Sequence, residues 1–359
     1  MIQPRILIIG EAWGEQEALT KRAFVGSAGQ ELRKMLKEAG LDPNKVDYTN
    51  VFNFRPEGNK IESLCTDKRT AVLELEDIKR VFPDAPWPLF YNYPALAGPG
   101  KYLRPRYFPS VWQLIEKLKE PWDLLIPLGN VATWAILGNT GITRLRGYVA
   151  KSSFSAAKVL PSFHPAAILR NWALRPISIA DLIKAKGLLS QSETDDPREL
   201  WIEPNIADIR TWIGSKIQTS DQLTVDIETI PKKRLITCVG FGTAQSAISI
   251  PFVDRRIQTK NYWSTLEEEI TAWGLVKAIL ALPNDKIWQN GIYDIQWLWA
   301  RMGLCVAGTQ HDTMLIHHAL FPEMSKDLGF LGSIYTEGES WKGMRKKAKL
   351  AINSEKKDD

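Results

Sequence analysis

The sequence, which has 359 residues, predicts an α/β fold in two domains. In the first half, short apolar strands alternate with amphipathic helices, a pattern typical of a parallel sheet between two layers of helices. After residue 198, three strands follow one another before the helices begin. The length favours two domains, because single hydrophobic cores stop growing beyond ~250–300 residues.

The first domain is predicted to cover residues 1–189 as a three-layer α/β/α domain with a parallel sheet. Its first strand covers residues 5–9, and a helix at 28–39 places Leu32 and Leu36 on one face. The other predicted elements are a strand at 47–52, a helix at 109–118, a strand at 123–127, a helix at 129–137, a strand at 158–161 and a helix at 176–189. Residues 83–107, rich in Pro, Gly and Tyr, are expected to form a long surface insertion.

A polar, acidic linker is expected at residues 190–198, followed by a second domain at 199–359. The strand at 223–229 places Asp226 and Glu228 on one face, because alternate residues of a strand point to the same side. The other predicted elements are strands at 239–243 and 247–251, a helix at 265–280, a strand at 287–290 and a helix at 293–302. This order fits an RNase H-like α/β fold.

The composition is that of a globular protein in a reducing cytoplasm. Hydrophobic residues make up 44% of the chain, and 14 residues are Trp. The three cysteines, Cys65, Cys238 and Cys305, are too sparse for a disulfide framework and lack metal-ligand spacing. No apolar run reaches the ~20 residues of a membrane-spanning helix, and the N-terminus lacks the layout of a signal peptide.

Charge is divided unevenly between the two halves. The first 190 residues hold 26 Lys and Arg against 18 Asp and Glu, and the remainder holds 20 against 23. A basic half beside an acidic half suits a phosphate-binding domain joined to a domain rich in metal-binding carboxylates. The alternative is a chance scatter of solvated charges.

Three segments near the N-terminus can build a pocket for a flat, polar, uncharged ring. They are GEAWGEQE at 10–17, AFVGSAG at 23–29 and TNVFNFRP at 49–56. The carboxylates of the first segment can bind and orient a water molecule. Phe24 is expected to be exposed and to stack on the ring, and the Asn50 amide can form hydrogen bonds with donor and acceptor groups on the edge of the ring.

Together with FHPAA at 163–167, PLGNVA at 127–132 and ITRLRG at 142–147, these segments resemble the uracil-DNA glycosylase superfamily. The resemblance covers about residues 5–187 and is closest to the thermostable, iron–sulfur branch. It implies that a target nucleotide in DNA is flipped out of the stack and its glycosidic bond hydrolysed. The insertion at 83–107 then becomes a candidate DNA-contacting loop.

The resemblance also implies roles for individual residues. Phe24 would stack on the flipped base, and Asn50 would pair with its polar edge and so distinguish uracil from cytosine. His164 would donate to the carbonyl oxygen that gains charge as the base leaves. Glu11 and Glu17 would orient the attacking water and stabilise the oxocarbenium-like sugar. The remaining residues of the expected substrate-binding set are Gly10, Gly14 and Arg146.

Each residue also has a purely structural interpretation: Glu11 as a turn cap, Phe24 as core and His164 as a hydrogen-bonded turn residue. Two departures from the family stand out. Trp13 occupies a position that is usually Pro, and we expect it to reshape or block the base pocket. The branch holds an iron–sulfur cluster through four cysteines, whereas this half contains Cys65 alone, so no cluster is expected.

In the second half, DIE at 226–228 and NGIYD at 290–294 resemble the first two motifs of the 3′–5′ proofreading exonuclease domain of family A DNA polymerases. DTML at 312–315, LGFL at 328–331 and SWK at 340–342 continue the match. The resemblance implies that Asp226, Glu228 and Asp294 bind Mg²⁺ or Mn²⁺. The alternative is that the two strand carboxylates are merely solvated.

The last motif of that family is not recognisable after Lys342, so the exonuclease-like domain is expected to be C-terminally truncated. A DNA polymerase or another polypeptide would complete it, or it would bind strand ends with weak or no cleavage. Substitution of the missing ligand by Asp358 or Asp359 is the less favoured alternative.

The leading hypothesis is therefore a DNA-repair or replication enzyme that excises uracil and carries an exonuclease-like domain, in a viral or mobile-element setting. The alternative is a non-catalytic module that binds uracil or strand ends and docks on a polymerase. A third hypothesis replaces uracil by another deaminated base such as hypoxanthine.

Overall fold

The computed structural model describes residues 4–81, 83, 94–190 and 198–336. Several expected features lie outside these residues: most of the linker (191–197), part of the insertion (84–93), the SWK segment and the tail with Asp358 and Asp359. The contacts between Cα atoms divide the chain into two compact units, Met1–Ser192 with Gly329–Asp359, and Glu193–Leu328. The described residues 329–336 are thus grouped with the first unit, whereas the sequence predicted that they belong to the second domain.

The first unit contains a five-stranded sheet in the order β2-β1-β5-β7-β6, in which only β6 is antiparallel to its neighbour. The short strands β3 and β4 pair separately. The strands are β1 (Ile6–Ala12), β2 (Asp47–Phe52), β3 (Cys65–Thr66), β4 (Tyr102–Leu103), β5 (Leu124–Pro127), β6 (Ala150–Ser152) and β7 (Ser155–Val159).

Helices cover both faces of this sheet. Leu7 and Ile9 of β1 belong to one buried cluster, and Ile6 and Ile8 belong to another, as the alternation of a strand requires. The helices are α1 (Glu15–Thr20), α2 (Ser27–Glu38), α3 (Lys68–Val81), α4 (Phe108–Leu118), α5 (Gly129–Leu137), α6 (Ile142–Leu145), α7 (Pro165–Arg170) and α8 (Arg175–Ser190). The predicted three-layer α/β/α architecture is confirmed.

The second unit contains a six-stranded sheet in the order β13-β12-β9-β10-β11-β8. Strands β9, β10 and β11 form an antiparallel meander, and β12 and β13 then add in parallel on the other side of β9. The strands are β8 (Glu199–Trp201), β9 (Gln222–Ile230), β10 (Leu235–Gly242), β11 (Ser246–Pro251), β12 (Asp285–Trp288) and β13 (Gln310–Asp312). This topology confirms the expected RNase H-like α/β fold.

The core of the second unit lies on the face of β9 that carries Leu223, Val225 and Ile227. The carboxylates of Asp226 and Glu228 therefore belong to the opposite face. The helices of this unit are α9 (Ile206–Trp212), which a π-helical turn (Ile213–Ile217) extends, α10 (Leu266–Leu280), α11 (Gly291–Met302) and α12 (Thr313–Leu320). In the described ranges, no helix combines the length and apolar character needed to span a membrane.

The last described helix, α13 (Leu328–Tyr335), packs within the first unit. Arg146, only 3% exposed, forms an ion pair with Asp181 and donates to Ser333 Oγ of α13 at 2.8 Å. Lys184 Nζ donates to the Ser333 carbonyl oxygen at 3.0 Å, and the Tyr148 hydroxyl donates to the carbonyl oxygen of Gly329. A segment that follows the second sheet in sequence therefore completes the first unit.

Candidate active site

A cleft of about 480 Å³ lies at the carboxyl ends of β1 and β2. The parallel register places Gly10 of β1 beside Asn50 of β2, where both strands reach the cleft. The predicted site residues that line it are Glu11, Gly14, Glu17, Phe24, Asn50 and His164. Residues from four separated segments of the sequence are therefore brought together at one position.

Asn50 is the buried polar group of this cleft. Its side chain is 3% exposed, and its Nδ2 has no hydrogen-bond partner in the described part of the chain. Gly10 makes this arrangement possible, because a Cβ there would lie 2.6 Å from Phe24 Cζ and closer still to Asn50 Oδ1. An unpaired buried amide is costly in a folded protein, so it indicates a group that a ligand satisfies.

Phe24 was expected to be exposed, and this expectation is wrong: the residue is 5% exposed and belongs to a buried cluster. Its backbone is left-handed, with φ 57°. The ring centroid lies 6.1 Å from that of His164, with the two planes inclined at 30°, and 5.8 Å from that of Tyr48. Gly29 has to lack a side chain because its Cβ would overlap the Phe24 carbonyl group. The ring is thus a fixed wall of the cleft.

Glu17 holds the segment that carries Phe24. Its Oε1 accepts the backbone N–H groups of Val25 at 3.0 Å and Gly26 at 2.8 Å, and the residue is buried. Gly14, directly before α1, leaves room for this carboxylate. The contacts describe a residue that positions the loop, and action of Glu17 on water or sugar stays a prediction.

His164 caps α7, with its Nδ1 accepting the Ala166 N–H at 3.2 Å. Burial, followed by the positive charge of Arg170, lowers the pKa of His164 to about 4. The imidazole is therefore neutral at pH 7, and since Nδ1 is an acceptor, the ring proton lies on Nε2. Nε2–H is a hydrogen-bond donor that carries no net charge.

Glu11 follows the apolar part of β1 and is half-buried. Burial, with a smaller contribution from Glu62, raises the pKa of its carboxyl group, and Arg170 opposes this shift. A carboxylate that takes up a proton more readily than usual suits general-base chemistry better than an ordinary surface Glu.

Two residues singled out in the sequence lie elsewhere. Arg146 does not line the cleft, because it is buried against Asp181 and α13, so the geometry gives its expected substrate-binding role no support. Trp13 lines a neighbouring cleft instead of the one that contains Asn50. The expected blocking of the base pocket by Trp13 is therefore not observed.

Five polar residues that line the cleft were not predicted as site residues from the sequence: Glu15, Gln16, Ser27, Asn59 and Arg170. Arg170 is the last residue of the short helix that His164 begins, and it is exposed. The sequence could have indicated Arg170, because it is a cation at the end of the short helix that follows the FHP segment. Its position suits contact with a phosphate at the mouth of the cleft.

In the second unit, Asp226 and Glu228 are exposed on one face of β9, whereas Asp294 of α11 is buried. Asp294 Oδ1 accepts the Ile227 N–H at 3.1 Å. Burial, with the charges of Asp226 and Asp312, raises the pKa of Asp294 to about 6. The Ile227 contact places Asp294 beside the strand that carries Asp226 and Glu228.

These carboxylates have the hard oxygen donors that Mg²⁺ and Mn²⁺ prefer. Among the described residues, however, no three His, Cys, Asp or Glu side chains lie close enough together to hold a metal ion. Asp312 is occupied elsewhere, because it accepts the N–H groups of Gly291 at 2.8 Å and Met314 at 2.9 Å. The described arrangement does not fit a metal ion, and the ligand set stays a prediction.

Comparison with known proteins places similarity in both units. A family model for the uracil DNA glycosylase superfamily matches residues 1–184. A type-4 uracil-DNA glycosylase from Thermotoga maritima is 27% identical over 194 residues, covering 53% of this chain and 80% of the relative. One from Sulfurisphaera tokodaii is 29% identical over 225 residues, covering 60% and 79%.

A DNA polymerase of Bacillus phage SP01 is 23% identical over 348 residues, which cover 87% of this chain but 32% of the polymerase. The chain thus spans about a third of that protein. Among solved structures, Trypanosoma brucei RNase D with RNA U12 has a TM-score of 0.27 at 13% identity, covering 34% of this chain and 40% of that one. Escherichia coli RNase D has a TM-score of 0.28 at 12% identity, covering 40% and 34%. Structural similarity at this level carries no functional argument.

Proposed function

The chain belongs to the uracil DNA glycosylase superfamily, and from this premise we propose that its first unit hydrolyses the N-glycosidic bond of uracil, or of a related deaminated base, in DNA. One observation carries the proposal. The unpaired Asn50 amide, the fixed ring of Phe24 and the neutral His164 line one cleft of about 480 Å³. Such a cleft suits a planar base with a polar edge.

Each of these residues has a distinct task in the proposed reaction. Phe24 stacks on the flipped base, and the Asn50 Nδ2 donates to a carbonyl oxygen on its edge. As the C–N bond breaks, the bonding electron pair leaves with the base, and His164 Nε2–H stabilises the charge on a carbonyl oxygen. Glu11 orients the water that adds to the sugar carbon and accepts its proton. Glu17 keeps Phe24 in place.

The direct test uses an end-labelled oligonucleotide with one central uracil, treated with alkali after incubation with and without EDTA. A single EDTA-resistant break at the uracil is expected. Oligonucleotides with hypoxanthine or another single deaminated base, tested in parallel, identify the preferred base. Binding of the uracil oligonucleotide without any break would overturn the excision proposal in favour of a non-catalytic uracil-binding module.

Replacing His164 with Ala should slow single-turnover uracil excision by about 10²–10³-fold, the usual cost of one oxyanion donor. The measurement is the rate at saturating protein. Because the pKa of His164 is lowered to about 4, the wild-type rate should show no inflection near pH 6.5 from this residue. The acidic decline should follow Glu11 instead, whose carboxylate form is lost at a higher pH than usual because its pKa is raised.

The matched variant is Glu11→Gln, which removes the titrating group and keeps the shape. It should abolish the acidic decline at a reduced overall rate. A decline that persists in Glu11→Gln but disappears in His164→Ala would show that His164, not Glu11, controls the pH dependence.

For the second unit we propose binding of a DNA strand end. The lack of a metal-holding group among the described residues favours binding over cleavage. A DNA polymerase, or another polypeptide, would supply what the exonuclease-like fold needs for Mg²⁺- or Mn²⁺-dependent cleavage. The similarity to a phage DNA polymerase supports this partner and a viral setting, and a cytoplasmic location belongs to the same proposal.

Replacing Asp226 with Ala should leave uracil excision within about twofold of wild type, because Asp226 belongs to the other unit. Any Mg²⁺-dependent shortening of 3′ ends should disappear in the same variant. Both are read from one gel with 5′-labelled uracil DNA, with and without Mg²⁺. Loss of both activities would contradict the hypothesis that the two units carry independent sites.

A further inference from the structure

We propose that a second cleft, beside the base cleft, holds the part of the DNA strand next to the flipped nucleotide. This inference rests on DNA being the substrate of the first unit. The cleft has a volume of about 480 Å³, and the side chains that matter in it are Trp13, Lys21, Arg22, Arg33, Asp47 and Tyr48. None of them lines the base cleft.

The two clefts share a wall. The segment that Glu17 fastens at Val25 and Gly26 also carries Phe24 and, three residues earlier, Lys21. Three residues of chain span at most about 10 Å, and successive phosphates on one strand of a duplex advance about 3.4 Å. Lys21 and Arg22 are therefore within about three nucleotides of a base that stacks on Phe24.

The second cleft is positively charged. Lys21 and Arg22 are exposed, and neither forms an ion pair with a carboxylate in the described ranges. Arg33 lies over the Tyr48 ring at 4.8 Å, and its Nη1 donates to the Pro43 carbonyl oxygen at 3.5 Å. Among the described residues, it too forms no ion pair with a carboxylate. Asp47 is the single carboxylate in the lining.

Aromatic rings accompany these cations. Tyr48 is held in place because its hydroxyl donates to the Pro43 carbonyl oxygen at 2.8 Å and its ring packs against Phe24. Trp13 is fixed at its backbone, where its N–H donates to the Phe54 carbonyl oxygen at 3.2 Å. A basic groove with aromatic side chains is the usual means of holding a single strand without regard to sequence.

The test measures binding of a fluorescent single-stranded oligonucleotide by anisotropy over a range of salt concentrations. The double variant Lys21→Ala, Arg22→Ala should bind about 10- to 30-fold more weakly at 0.1 M salt. The slope of log K against log salt should fall in magnitude by about 1.4, since each lost phosphate contact removes about 0.7 for single strands. The matched control is Arg69→Ala, Lys151→Ala, which removes the same charges from exposed residues outside both clefts.

A variant that is expected to bind DNA more tightly excludes misfolding as the reason for a change in affinity. Asp47→Asn removes the only negative charge of the lining and should tighten binding several-fold. If the Lys21, Arg22 variant behaves like its control, or Asp47→Asn does not tighten binding, the second cleft is not the strand site.

Failure of the proposed function is distinguishable from failure of this inference. If uracil is never released, but binding still depends on Lys21, Arg22 and Asp47 as described, the strand-site inference is supported and the proposed excision is wrong. If uracil is released and the substitutions do not change binding, the glycosylase proposal is supported and the strand-site inference is wrong.

Discussion

A protein with Asp in place of Asn50 should lose uracil excision by a factor approaching about 10⁴. The edge of uracil presents a carbonyl oxygen beside an N–H group, and an amide offers the complementary donor and acceptor. An ionised carboxylate offers acceptors alone, so it faces the carbonyl oxygen with no donor. Sites built to hydrogen-bond a polar group reject a mismatched partner by factors of about 10⁴–10⁵. The measurement is the single-turnover excision rate on DNA with one uracil.

The matched control is Asn59→Asp, which makes the same substitution at an exposed residue of the same cleft. Asn59 has a left-handed backbone with φ 56°, a conformation that Asp also tolerates. The control should stay within about tenfold of wild type. Equal losses in the two variants would mean that added negative charge, not the hydrogen-bonding edge read by Asn50, explains the effect.

Replacing Asp181 with Ala should lower the free energy of unfolding of the first unit by about 3–5 kcal/mol. Asp181 is 1% exposed and accepts from Arg146 Nε at 3.0 Å and from Ser162 Oγ at 2.7 Å. Without it, the Arg146 guanidinium is left in the interior with no opposite charge. A loss of this size is a large part of the 5–15 kcal/mol that stabilises a typical domain. Denaturant unfolding followed by circular dichroism measures it.

The matched control is Glu120→Ala, which breaks the ion pair of Glu120 with Arg5 at 2.8 Å. The side chains of that pair are 47% and 42% exposed, so solvent screens the interaction. Its loss should cost less than about 1 kcal/mol. Comparable destabilisation by the two substitutions would show that the Asp181 pair is no more important than a surface contact.

Six of the longer helices could be predicted from the sequence, and their apolar periodicity is strongest in α2 (Ser27–Glu38) and α4 (Phe108–Leu118). All six predicted helices agree with the structure within two residues at each end. Helix α3 (Lys68–Val81) was missed although its sequence is amphipathic, and Leu75 is its one buried residue. Helices as short as α1 and α7 have little intrinsic stability, so their capping residues and tertiary contacts decide whether they form.

Part of the candidate site could be predicted, because the order of the motifs along the chain identified several residues that line the cleft. Asn50 lies in the carboxyl-terminal half of β2 and His164 follows β7 of the same sheet, and both line one cleft. The contacts of Glu17 and Arg146 were not predictable. Glu17 binds the N–H groups of a neighbouring loop, and Arg146 pairs with a carboxylate on a distant helix. Only the folded chain brings these partners close to the two side chains. The burial of Phe24 and its left-handed backbone were not predictable from the sequence either.

Helix α13 has a consequence for the order in which the protein acquires its structure. Ser333, which accepts from Arg146, and Gly329, which accepts from Tyr148, leave the ribosome only after the whole of Glu193–Leu328. At synthesis rates of about 5–20 residues per second, this delay is about 7–27 seconds. The first unit, although it begins the chain, can therefore form these contacts only after residues 193–328 have been made. In a nascent chain that stops before residue 329, the buried Arg146 side chain lacks its Ser333 partner.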